Sequence, residues 1–137
     1  MKIERYIPVP SQLAEELHQH LVETDQTLSN DELITFLLSV TDDHGNLCAG
    51  CKGEIAFKSA RVSELWVSEG NRGNGFGTKL LAEAEAIAVE RDCERIHLET
   101  RNPKAKLLYE RLGYSVFGEL PNYEGTLSFY YLEKRLR

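Results

Sequence analysis

A chain of 137 residues has room for one domain with one core and is too short for two. With 42% hydrophobic and 28% charged residues, it has the composition of an ordinary globular protein. A net charge of -6 argues against nucleic acid as the main partner, because such binders carry a basic stripe, and it suits a cationic or neutral ligand. No run approaches the ~20 apolar residues of a membrane span, and MKIERYIPVP lacks the apolar centre of a secretory leader, so a cytoplasmic location without a membrane partner is expected.

Residues 2–7 alternate in polarity and predict a first strand, broken by Pro8 and Pro10. Residues 11–29 then predict a helix, with Ser11 near its start and Leu13, Leu17, Leu21 and Leu28 forming an apolar stripe. Residues 32–41 are rich in strand formers, DDHGN is a turn, and 47–57 and 61–68 predict two more strands of an antiparallel meander. Cys48 and Cys51 form a CxxC inside this stretch. Strand positions three apart point to opposite faces, no second CxxC exists, and His18, His20, His44 and His97 lack ligand spacing, so no metal is expected.

Helical periodicity returns at 75–91 through Phe76, Leu80, Leu81, Ala84, Ile87 and Ala88. ERIHLET is a strand. PKAKLLYERLG is a short helix, with Asn102 placed as N-cap, Pro103 at its first position and Gly113 past its end. YSVFGEL and LSFYYLEKRL are two final strands. The order βα-βββ-α-β-α-ββ predicts an α+β fold around one mixed central sheet of six to seven strands flanked by helices, in a single domain spanning residues 1–137.

The most informative stretch is RGNGFGT, residues 72–78, between the strand VSELWV and a helix. The N-terminus of a helix offers free N–H groups and a partial positive charge. Glycines let the backbone approach a ligand closely, and Arg72 adds a charge suited to phosphate oxygens. A pyrophosphate is the natural guest. Two familiar phosphate motifs fail: Thr78-Lys79 after Gly77 is not the GK[ST] of a P-loop, and neither Gly73 nor Gly75 opens a GxGxxG. A purely structural turn would need one glycine, not three with an arginine.

The pattern that fits is R-x-x-G-x-G, as Arg72-Gly73-Asn74-Gly75-Phe76-Gly77. With LWV before it and TKLLAEAEAIA after it, it resembles motif A of the GNAT superfamily of N-acetyltransferases. NPKAKLLYERLGY is similar to that family's second signature, and the ending GELPNYEGTLSFYYLEKRL resembles a short bacterial branch of it. The resemblance covers nearly the whole chain. It implies an enzyme that moves the acetyl group of acetyl-coenzyme A to a primary amine of a small molecule or protein, by direct attack in a ternary complex. It further implies that Leu65 and Val67 give backbone contacts to the pantetheine arm, that the Val67 N–H polarises the thioester carbonyl, and that Arg72, Gly73, Asn74, Gly75, Phe76, Gly77 and Thr78 wrap the pyrophosphate.

That chemistry has three demands. An alkylammonium with a pKa of about 10 must lose a proton, the oxyanion needs a donor, and the leaving thiolate benefits from an acid. Tyr109 matches the family's tyrosine near the sulfur, although its stripe with Ala105 and Leu112 also suits a core residue. Asn102 matches a cofactor-contacting asparagine, but the loop LETRN is about two residues shorter than in commoner members, and N-capping explains it as well. Glu64 and Glu99 lie on the two strands that carry the family's bases; Glu64 opposes Leu65 and Val67 and shares a face with Val62 and Trp66, where a buried carboxylate would have a raised pKa useful to a base, although an exposed surface position is the commoner outcome for a glutamate. Trp66 is expected in the core. Glu119 and Glu124, in a segment expected on the acceptor side, suit a cation. Phe129, Tyr130 and Tyr131 in the last strand suit packing across a homodimer interface. The alternative from another class is a non-catalytic acyl-CoA sensor or partner-binding module on the same fold. A nucleotide-binding protein is a third reading, disfavoured by the two failed motifs.

Overall fold

The computed structural model describes residues 1–25 and 33–137. They belong to two compact units, Met1–Glu32 and Leu33–Arg137. The first holds one helix, α1 (Ser11–Thr24), whose last turn is closed by the Asp25 N–H donating to the Leu21 carbonyl. Leu13, Leu17 and Leu21 form the expected stripe; Leu28 lies outside the described residues. The strand expected at residues 2–7 does not form. Alternation supplies a strand with a face, but a strand also needs a ladder, and no pairing of the sheet involves these residues.

The second unit is built on a six-stranded mixed sheet in the order β1-β2-β3-β4-β6-β5. Its strands are β1 (Ile34–Thr41), β2 (Leu47–Ala56), β3 (Ser59–Val67), β4 (Arg95–Thr100), β5 (Ser115–Glu124) and β6 (Leu127–Arg135). All neighbours are antiparallel except β3 and β4, which run parallel because α2 (Phe76–Glu90) carries the chain back between them. A third helix, α3 (Pro103–Arg111), joins β4 to β5. The α+β class and the mixed sheet are as the sequence predicts, with six strands.

One face of the sheet carries the core. Leu80, Leu81, Ala84 and Ala88 of α2 and Tyr109 of α3 are buried against Ala49, Cys51, Ile55, Ala60, Val62, Ile96, Leu98 and Leu132. The small residues on α2 let the helix lie close to the strands, and the larger Leu81, Ile96 and Leu132 fill the space between them. Burial pushes the Cys51 thiol up to about 11, so it is a protonated core side chain, and the CxxC residues Cys48 and Cys51 are free thiols. Among the described residues no group of histidine, cysteine or acidic side chains is arranged to hold a metal ion, and no helix is long and apolar enough to cross a membrane. The opposite face is polar at its centre, with Arg61, His97, Glu99 and Glu133 on adjoining strands. Burial there lowers the His97 pKa, which favours the neutral ring at physiological pH.

The β2–β3 ladder contains one irregularity. Its register passes from Lys52 opposite Glu64 to Gly53 opposite Val62, which leaves Ser63 unopposed as a bulge. The Ser63 hydroxyl donates to the Lys52 carbonyl at 3.1 Å and pins the extra residue. The strands approach closely here, and a Cβ on Gly53 would run into the Arg61 carbonyl and the Phe36 ring. We therefore expect Gly53→Ala to destabilise the protein by about 1–3 kcal/mol, read from the urea midpoint, as overpacking does elsewhere.

Candidate active site

β3 and β4 pair over only three positions: Ser59 with Arg95, Ala60 with Ile96 and Arg61 with His97. Beyond Arg61 they part. The remaining half of β3 has β2 on one side and no strand on the other. The gap is a cavity of about 650 Å³, lined along β3 from Val62 to Trp66, along β4 by Leu98, Glu99 and Thr100, and at its end by Asn102, Tyr109 and Phe129. Ser68 donates to the Cys48 carbonyl of β2 at 2.8 Å. Backbone groups alternate in direction along a strand, so those of Leu65 and Val67 turn away from β2 and toward the gap. Arg72 Nε donates to the Val67 carbonyl at 3.0 Å, which leaves the Val67 N–H as the free group at the end of the strand.

The bulge decides what the gap contains. Before it, Ala60 and Val62 face the helices; after it, Leu65 and Val67 do. The expectation that Glu64 and Trp66 share a face with Val62 is therefore corrected. The extra residue Ser63 shifts the alternation by one, and both side chains emerge on the face opposite α2 and α3. Glu64 is 71% exposed and pairs with Lys52 at 3.0 Å, so it is not a buried carboxylate. Trp66 is 46% exposed and is not a core residue.

Glu99 also lines the gap, but both its oxygens are engaged. Arg61 reaches them at 2.9 and 3.0 Å in a two-pronged ion pair and also contacts Glu54 at 3.4 Å. The hydrogen bond to Glu99 raises the Arg61 pKa further, so the guanidinium stays charged. This pair joins the last residue of β3 that pairs with β4 to the part of β4 that no longer pairs with β3. It fixes where the strands separate.

The glycine loop lies at the end of β3. A short 3-10 turn at Glu69–Asn71 leads into it, and Gly75 is the residue before α2. Gly73 and Gly75 adopt φ of +82° and +81°, the left-handed region that glycine occupies at no steric cost. Gly77 has no such need: a Cβ there would meet only Val67 Cγ2, at 3.9 Å. What the missing side chain leaves is room over the first turn of the helix. That turn has no acidic residue and no side-chain cap, so its N–H groups and partial positive charge are uncompensated. The resulting cavity of about 290 Å³ is lined by Arg72, Gly73, Gly75, Phe76, Gly77 and Thr78, together with Val67, Asn71 and Leu108. Asn74, expected around the ligand, is not part of this lining.

Tyr109 is 9% exposed, packs its ring 6.0 Å from that of Tyr114 and still lines the gap. Burial raises its pKa, with Cys51 beside it adding to the effect, so the hydroxyl is protonated and able to donate at neutral pH. The ring is a core residue, as its helical stripe predicts, and the residue also reaches the cavity wall. Asn102 is similarly double. Its Oδ1 accepts from the Lys104 N–H at 2.9 Å as the N-cap of α3, while the residue lines the gap. Sequence reasoning missed Arg61, Asn71, Leu108 and Phe129. None carries a local signal, since each joins the site through strand register or helix packing. Glu124 pairs with Arg101, another gap residue, at 3.2 Å, whereas Glu119 accepts from Ser128.

The chain is similar in sequence and fold to known proteins. The acetyltransferase (GNAT) family profile matches residues 4–114. An acetyltransferase of Agrobacterium fabrum is 36% identical over 98 residues, 72% of each chain. The blasticidin-S acetyltransferase of Streptomyces morookaense is 35% identical over 95 residues, 69% of this chain and 70% of that one. The crystal structure of an acetyltransferase from Bacillus cereus superimposes with a TM-score of 0.87 at 26% identity, over 99% of this chain and 98% of that one. The chain therefore belongs to the GNAT family of acetyltransferases, as an acyl-transferring enzyme.

Proposed function

We propose that the protein moves the acetyl group of acetyl-coenzyme A to a primary amine of a small molecule or a protein, by direct attack while both substrates are bound, within a single functional domain. The observation that carries this reading is the gap between β3 and β4. It leaves a row of unpaired backbone groups beside an anion-binding loop, which is what an extended amide-bearing arm ending in a pyrophosphate requires. In this reading the loop from Arg72 to Thr78 holds the pyrophosphate, and Leu65 and Val67 pair with the arm. The attacking amine reaches the thioester carbonyl carbon, the C=O electrons move to oxygen, and the Val67 N–H stabilises the oxyanion. Collapse breaks the C–S bond, the departing sulfur takes a proton from Tyr109 Oη, and the second proton that the nitrogen sheds on becoming an amide restores the Tyr109 hydroxyl.

The proton lost by the ammonium goes to Glu64, directly or through water. Glu64 is the better of the two carboxylates for this task because Glu99 is committed to Arg61 on both oxygens. Asn102 serves mainly as the cap of α3 and touches the arm only with its amide nitrogen. The acidic surface favours a cationic acceptor and disfavours nucleic acid. Acetyl-coenzyme A bound with no thiol release in the presence of any amine would favour the sensor alternative.

Four variants test this reading. Gly77→Ala fills the room over the first turn of α2, so the Kd for acetyl-coenzyme A in calorimetry rises about tenfold or more, while stability stays level or improves by up to ~1 kcal/mol through helix propensity. Loss of binding in the wild type, or a preference for ATP, would return the loop to a structural turn. In thiol-release assays, Tyr109→Phe lowers kcat about a hundredfold with little change in KM for acetyl-coenzyme A. Glu64→Gln lowers kcat roughly tenfold without moving the melting temperature, whereas Glu99→Gln lowers the melting temperature because it frees Arg61 at the point where the strands separate.

A further inference from the structure

The side chains on the face opposite α2 and α3 have a composition of their own. Trp66 and Glu64 line the gap and also a second hollow of about 210 Å³, which runs beside it over Leu37, Leu47 and Lys52. Across the gap, Phe129 of β6 forms the opposing aromatic wall and is backed by Tyr123 at 4.8 Å and Tyr131 at 5.1 Å. A half-exposed indole and a phenyl ring at the two lips of one cavity are a poor use of apolar surface unless something covers them. The charges around them decide what that is. Glu54 and Glu99 share the single guanidinium of Arg61, and Arg101, which also lines the gap, is already paired with Glu124, so carboxylates outnumber cations here. Glu64 already holds an ammonium, that of Lys52, at 3.0 Å. That pair is solvent-exposed and therefore weak enough to be exchanged for a ligand's cation.

We propose that Trp66 is the specificity-determining residue of an acceptor site on this face, and that the acceptor is an alkyl amine whose carbon chain carries a second cationic group. The transferable amine reaches into the gap toward Tyr109. The carbon chain lies against Phe129, and the second cation rests over the Trp66 ring, which leaves Glu64 to the reacting amine. An indole face is the strongest of the aromatic cation sites. An anionic head at the same place would meet the carboxylates of the wall. The inference rests on the acetyl-transfer reading for the identity of the gap as the reaction site, but its first test does not need acetyl-coenzyme A.

Trp66 is the only tryptophan of the chain, so its fluorescence reports this site alone. Titration of the free protein with 1,5-diaminopentane is expected to change the emission saturably. With 6-aminohexanoate, which carries a carboxylate in place of the second cation, half-saturation is expected at a concentration at least tenfold higher. In turnover with acetyl-coenzyme A, the diamine has the higher kcat/KM by a similar factor. Trp66→Leu removes that preference by raising the KM for the diamine while the KM for acetyl-coenzyme A stays within twofold; Trp66→Phe retains most of it. Equal half-saturation by the two amines, or no fluorescence change by either in a protein that binds acetyl-coenzyme A, would overturn the proposal and leave acetyl transfer standing. Failure to bind acetyl-coenzyme A would instead count against the transfer reading.

Discussion

The structure depends on a parallel strand pair that stops after three residues. Continued pairing of β3 and β4 would close the sheet, and no cavity would exist beneath α3. Two neighbouring features keep the strands apart. The bulge at Ser63 bends β3 as bulges do, and the Arg61–Glu99 ion pair ties the two strands at the vertex. A half-buried two-pronged pair of this kind is directional, so it sets geometry even where its net contribution to stability is small. Everything else in the candidate site is measured from that vertex: the free backbone of Leu65 and Val67, the loop at the end of β3, and the hydroxyl of Tyr109 at the far wall.

The same bulge separates two kinds of chemistry. Upstream of it, β3 turns Ala60 and Val62 into the core; downstream, one extra residue hands that duty to Leu65 and Val67 and sends Glu64 and Trp66 the other way. The strand thus remains half apolar on the helix side along its whole length, while its outer side changes from the ion pairs of Arg61 to an open aromatic and acidic surface. Gly53 makes this affordable in space, since it lets β2 follow the bend without a side chain between the ladder and Phe36.

Most of the architecture could be read from the sequence because the strong signals are local. The period of α2, the Asn102–Pro103 start of α3 and the turn at Gly45 are set by neighbours a few residues apart. The left-handed Gly73 and Gly75 belong to the same class. What could not be read depends on pairing. Residues 2–7 alternate as a strand does, but alternation cannot reveal that no ladder is offered to them. The bulge is equally silent, because Ser63 is an ordinary strand residue and its displacement shows only against Lys52 on the neighbouring strand. That single unread residue is why Glu64 and Trp66 were expected on the wrong side. Tyr109 and Asn102 fall between the two cases: each has a local structural role and, through the parting of the strands, a place in the cavity wall.

A gap that passes through a sheet has two openings rather than one. The glycine loop and α3 border it on the helix side, and Trp66, Glu64 and Phe129 border it on the other. For a two-substrate transfer this geometry removes a traffic problem. In the proposed transfer neither reactant would lie across the path of the other, since the spent thiol and the modified amine would withdraw in opposite directions. With two openings, a shared doorway does not set the order of binding in that reading.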